Sequence, residues 1–201
     1  MKQKTANIFS LSLRLPVWIC IAFIGCFNTA CHKIEAGNII INADITKNPV
    51  YKKLDKERDY PEVGYYAWPK TSDVSYFNDR FQKLTDTINA RNYNCKSFVI
   101  DSVLKINIGI SDGEEWSGFT INCRNHLFDV KPYFGTDNIV LGKPEPTFDV
   151  IEQSLALNKS NYSIGDSIYG KVKFKIIEKG ADAKVTHIAE GYFRSKVTKA
   201  P

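Results

Sequence analysis

The chain has 201 residues, 43% of them hydrophobic, enough for one domain with its own core or for one domain carrying an appended module. Its formal charge of +5 is concentrated at the start: Lys2, Lys4 and Arg14 meet no acid within the first thirty residues, and the remaining basic side chains nearly balance the 22 acidic ones. A mature body so close to neutral excludes a general nucleic-acid binder, which would keep its basic excess.

Residues 1–14, MKQKTANIFSLSLR, carry those three charges, and residues 15–27, LPVWICIAFIGCF, are uncharged and almost wholly apolar. Thirteen helical residues rise about 20 Å, short of the roughly 20 residues that cross a bilayer core. The pattern predicts a signal peptide over residues 1–30 rather than a permanent span. Two cysteines close it in the octapeptide IGCFNTAC, Cys26 and Cys31.

A cysteine directly after a short apolar run resembles the lipobox of bacterial lipoproteins, whose leader is cut before a cysteine that carries diacylglycerol. The resemblance covers the leader alone. It implies lipidation at Cys31, with Cys26 the alternative. Cys26 has the approach Phe23-Ile24-Gly25, but a cut there shortens the apolar stretch and opens the mature chain on Phe27. Cys31 has Asn28 at −3, where an apolar side chain is usual, and the polar start His32-Lys33. An unlipidated signal peptide with incidental cysteines competes with both. A lipidated chain would have a membrane as its first partner, in a bacterial envelope and at the outer membrane in preference to the inner. Several acyl chains on one cysteine, at about 0.8 kcal/mol per buried methylene, would hold it there stably.

Cys20 leaves with the leader, so Cys95 and Cys123 remain in the body. In an oxidising compartment such a pair predicts a disulfide. Closing its loop would stabilise the fold by about 3.6 kcal/mol in the chain-entropy model. Two separately buried thiols are the alternative. No CxxC or HxxxH spacing accompanies them, so no metal site is expected.

Residues 31–38 form a short tether, and IIINADIT at 39–46 reads as a first strand, rich in β-branched residues. Three prolines, Pro49, Pro61 and Pro69, predict an irregular connection over 47–71. Val74, Phe77, Phe81, Leu84 and Ile88 then fall on one helical face, predicting an amphipathic helix over about 73–90. Leu104, Ile106, Ile108 and Ile110 alternate with polar residues, as do Phe119, Ile121 and Cys123, around the turn SDGEE at 111–115. That is a hairpin over about 102–124.

The stretch LGKPEPTF marks a Pro-rich linker at 142–147, followed by strand-like runs at 148–157, 167–177 and 184–197. Parity slips between Val150 and Leu155, which predicts a bulge. Ile168, Val172, Phe174 and Ile176 share an inward face, and so do Val185, Ala189, Phe193 and Val197. The phrase YSIGDSIYGKVKF at 162–174 resembles strands of immunoglobulin-like and arrestin-like β-sandwiches, and implies a sandwich without implying an activity. Either the linker divides an α+β unit at 39–141 from a β-sandwich-like unit at 148–198 packed on it, or one sandwich takes both; the first arrangement is expected. The fold class is mainly β with one amphipathic helix, α+β in kind, with a β-sandwich-like C-terminal part.

Catalytic spacing is scarce. His126 and His187 stand in no nucleophile motif, GxSxG is absent, and the inward parity of His187 fits a core residue satisfied by a hydrogen bond. The acidic turn Asp112-Gly113-Glu114-Glu115 lacks the spacing of the familiar calcium loop and reads as a solvated hairpin tip. Tyr65, Tyr66 and Trp68 crowd a proline-bounded loop, and Trp116 follows the acidic turn; such aromatics suit either packing or a sugar face. Lys171, Lys173, Lys175, Lys184, Arg194 and Lys196 form an outward basic strip, able to meet anionic head groups or to guard strand edges. No cofactor is indicated. The resulting expectation is a non-enzymatic binding or scaffolding module at a membrane surface, whose partner is an envelope protein or a glycan. A carbohydrate-binding lipoprotein using the aromatic loop is the alternative, and an envelope enzyme with an unfamiliar site comes third.

Overall fold

A computed structural model describes residues 36–59, 68–79, 93–111, 115–137, 145–180 and 183–200. Eleven strands and one helix follow in order: β1 (Gly37–Ile41), α1 (Pro49–Lys56), β2 (Arg58–Asp59), β3 (Trp68–Pro69), β4 (Ser75–Asn78), β5 (Asn94–Ile100), β6 (Val103–Ser111), β7 (Glu115–Arg124), β8 (Leu127–Thr136), β9 (Thr147–Leu157), β10 (Ser167–Lys179) and β11 (Lys184–Lys199). A turn of 3-10 helix, Ala43–Lys47, joins β1 to α1. The chain is mainly β, and its strands form one large mixed sheet.

Strands β5 to β8 form an antiparallel meander. Ile106 and Ile108 face Ile121 and Phe119 across β6 and β7, all fully buried. Two of its connections are tight two-residue turns, Asp101-Ser102 and Asn125-His126, with both residues of each at positive φ, as such hairpins require. The other layer is β9–β10–β11, with β10 paired along its whole length to Lys184–Lys196 of β11. Opposite Lys175/Ile176 of β10 the register of β9 slips by one residue, and Ile151 bulges into solvent at 58% exposure. This is the bulge that the parity of 148–157 predicts.

Two strands join the layers at their edges. β1 pairs antiparallel with β8 through Gly37 and Asn38, then parallel with β9 through Ile39 to Ile41. β11 pairs with β4 in its first half and, parallel, with β5 at Val197 to Lys199. The order β10-β9-β1-β8-β7-β6-β5-β11 therefore returns to β10. The result is a closed ring of strands without an open edge along it. Strands on either side of residues 142–147 are hydrogen-bonded in one sheet and share one core.

The start of the helix expected over about 73–90 is a strand instead. Ser75–Asn78 is a strand beside β11, and the remainder of the expected helix, from residue 80 to residue 90, lies outside the described residues. Tyr76 and Phe77 are buried on opposite faces of β4, so this strand shows no alternation and mimics a helical stripe. The segment before it hugs β11 so closely that a methyl group on Gly191, at φ 153°, would strike the Asp73 carbonyl and Val74 Cα.

The observed helix α1 falls inside the stretch expected to be irregular. Asn48 caps it, its side chain accepting from the Val50 N–H at 3.0 Å, and Pro49 takes the first turn, where its missing N–H costs nothing. Tyr51 and Leu54 are buried against the outer side of the β10–β11 layer. The Tyr51 ring meets Tyr169 and Tyr192 edge-on, and its hydroxyl donates to the Gly170 carbonyl at 3.2 Å.

Candidate functional site

The ring has two ends. The β5–β6 and β7–β8 turns lie at one, here the lower; the β6–β7 and β10–β11 connections leave from the other, the upper. The lower end is closed by the β9–β10 connection. Its Gly165 N–H donates to the Val197 carbonyl, the Val197 N–H donates to the Asp166 carbonyl, and Tyr162 packs on the core.

Inside the upper end the inward parity of β4, β10 and β11 brings three polar side chains together. The Tyr76 hydroxyl lies 2.7 Å from His187 Nδ1, and His187 Nε2 lies 2.9 Å from Glu178 Oε2. With the proton on Nε2, Tyr76 donates to the imidazole and the imidazole donates to the carboxylate. Tyr76 is 1% exposed and His187 3%. Tyr93 meets the Tyr76 ring edge-on at 5.4 Å, and Phe119 and Phe174 pack beside it. Asn78 stands directly opposite His187 on β4, with its Oδ1 buried and without a hydrogen-bond partner among the described residues.

A carboxylate, an imidazole and a hydroxyl in line is the order that activates a nucleophile in hydrolases. Here the hydroxyl is sealed in the core, out of reach of a substrate. The chain of bonds therefore satisfies buried polar groups and fixes β4 to β10 and β11. His126 sits at the lower end, exposed in a turn, so the two histidines of the body do not meet. Among the described residues no three His, Cys, Asp or Glu side chains gather as a metal site would require.

The expected disulfide is absent: Cys95 and Cys123 are free thiols. They lie on β5 and β7 with β6 between them, Cys95 opposite Ile108 and Cys123 opposite Leu104. Two strand spacings and four residues of offset separate them by about 16 Å, beyond the roughly 7 Å between Cα atoms that a bridge spans. Burial raises the pKa of both thiols, and the Asp129 carboxylate adds to the rise at Cys123, which is pushed up to about 12.

Cys26, Cys31, Tyr65, Tyr66 and residues 112–114 of the acidic turn lie outside the described residues, and Trp68 is described only as backbone in β3. The strip Lys171, Lys173, Lys175, Arg194 and Lys196 does lie along the outer side of β10 and β11, but carboxylates answer much of it. Lys171 meets Glu190 at 3.1 Å, Lys173 meets Glu152 at 2.6 Å, and Arg194 meets Asp55 of α1.

Trp116 belongs to a constellation that residue types alone do not reveal. On the outer face of the meander, register sets Trp116 beside Gly135, and Tyr133 beside Gly118, which is itself beside Gly109. A methyl on Gly135 would run into Cε2, Cζ2 and Nε1 of the indole together, so the ring lies flat on that glycine. Trp116 is 41% exposed, leaving its other face to solvent. Tyr133 crosses Gly118 to Gly109, and its hydroxyl donates to Asn107 Oδ1 at 2.8 Å. The next outward rows hold Lys96, Asn107, Thr120 and Lys131, then Lys105, Asn122 and Asp129. Tyr133 and the three glycines escaped the sequence reading because only the register of three strands brings them together. Compared with protein-family models, curated proteins and solved structures, the chain matches none.

Proposed function

We propose that this chain is an exported bacterial envelope protein, held to a membrane by lipid on Cys31, or alternatively Cys26, whose barrel is a non-enzymatic binding or scaffolding module. The observation that carries the binding role is the filled interior. Tyr76, Phe119, Phe128, Phe174 and Phe193 are each no more than 2% exposed, so a partner has to be met on the outside of the ring. The sealed Tyr76–His187–Glu178 chain supports the same reading, since its hydroxyl serves the fold.

The anchor rests on the basic start, the short apolar run and the cysteines that follow it. With β1 beginning at Gly37, residues 32 to 36 reach at most about 18 Å when extended, which would keep the barrel close to the bilayer. Among the described residues no helix is long and apolar enough to cross a membrane.

Intact mass of the mature protein extracted from membranes tests this. The expected product begins at Cys31 and carries a diacylglycerol and an acyl group, and Cys31→Ser leaves the precursor unprocessed. A mature chain that retains its first thirty residues, or that carries no lipid, overturns the proposal. Processing that fails in Cys26→Ser instead moves the anchor to the alternative cysteine.

A further inference from the structure

We infer that the outer face of the β5–β8 meander is a binding face for an anionic saccharide, with the exposed indole of Trp116 as its stacking floor. This deepens the binding-module reading and rests on it, though not on the lipid anchor. An aromatic ring that lies flat on a sheet, one face on backbone and the other in water, presents the apolar plane that the C–H face of a pyranose ring covers. Gly135 makes that posture possible, because any larger residue would lift the indole off the strand. Tyr133 extends the floor sideways over Gly118 and Gly109, and its bond to Asn107 fixes where the ring stops.

Polar groups begin where the rings end. Asn107 and Thr120 occupy the adjoining row, with Lys96 and Lys131 at its two ends, all on outward positions. A saccharide chain that starts on Trp116 and runs over Tyr133 would reach these amide, hydroxyl and ammonium groups about 13 Å along β7, the pairing of stacking with polar contacts that fixes orientation in a ligand site.

Charge selects the class of saccharide. Within β5 to β8 the outer face carries Lys96, Lys105, Arg124 and Lys131 against Asp129, with Glu145 reaching Lys131 from the following segment at 3.7 Å. On the opposite face Lys171, Lys173, Lys179 and Arg194 are each answered by a carboxylate. A neutral glycan would gain nothing from the cationic excess, whereas carboxylate or phosphate groups along a sugar chain would.

The test uses the full mature chain. An array of acidic glycans, bearing uronic acid or sugar phosphate, is probed first; calorimetry with tetragalacturonate and with neutral galactotetraose follows. Binding to acidic members is expected, with the carboxylated tetrasaccharide preferred. Trp116→Ala should weaken it about tenfold or more, as loss of a central aromatic contact does. Trp116→Phe keeps a ring over Gly135 and guards against loss of folding, and Lys96→Ala with Lys131→Ala should erase the preference for the acidic tetrasaccharide. An array with no acidic glycan bound overturns the inference, as does binding that survives Trp116→Ala in a protein with an unchanged melting curve, or an equal response to the neutral tetrasaccharide. None of these outcomes touches the mass measurement, so the glycan face and the anchored module can fail separately.

Discussion

Glu178 ends a line of hydrogen bonds that starts at a tyrosine hydroxyl in the middle of the core. Each member is buried or nearly so, and removing one strands its neighbour. Glu178→Ala leaves the His187 N–H without this acceptor, and Tyr76→Phe leaves Nδ1 without its donor. Each should cost about 1–3 kcal/mol, the penalty for an unsatisfied buried group. The double variant should cost less than the sum, because both changes break one connected unit. Urea unfolding at constant slope measures both effects; a Glu178→Ala midpoint equal to that of the parent would show that the line does not fasten the fold. The inward position of His187 was legible from its parity on β11. Its partners were not, since Tyr76 and Glu178 come from strands more than a hundred and just nine residues away.

At the scale of elements, α1 is a short helix that owes its place to its ends and to one face. Asn48→Ala removes the side-chain acceptor from the Val50 N–H and should destabilise the protein by about 1 kcal/mol. The loss should appear in thermal unfolding and in the near-ultraviolet signal of Tyr51, which packs between Tyr169 and Tyr192. A sequence reader meets Pro49 as a breaker, whereas here it starts a helix, and this is why the stretch 47–71 looked irregular. The converse error at 75–78 has the opposite cause: β4 is covered on both sides, and a strand buried twice loses its period of two. Where one face is wet the pattern is reliable. The hairpin of β6 and β7, the three long C-terminal strands and the bulge at Ile151 follow directly from alternation, because a single-residue slip there would turn the core outward. The paired rings over Gly109, Gly118 and Gly135 had no such signature. Lone glycines at outward positions look like weak points until the neighbouring strand is known.

For the whole molecule, closure is the property that local patterns could not convey. Both seams depend on contacts across most of the chain: β1 with β8 and β9, and β11 with β4 and β5. β1 is five residues long, yet it alone joins the two layers on its side. A chain that starts at Ala36 should therefore fold and stay monomeric. One that starts at Asn42 exposes the edges of β8 and β9 and should aggregate or associate through them. Light scattering and melting curves of the two truncations decide this, and a monomeric, equally stable shorter chain would show that the seam is dispensable.

If the chain is exported as proposed, the same seams set an order of events during secretion. When a polypeptide crosses a membrane from its amino terminus, the first strand emerges long before the strands it must join, and the last strand supplies the other join. Neither layer can be sewn to its mate until nearly all of the chain has arrived on the far side. Over that interval the half-made body has bare margins, and on the proposed anchored reading these would stand next to lipid, where a chaperone that shields extended segments would have its work to do.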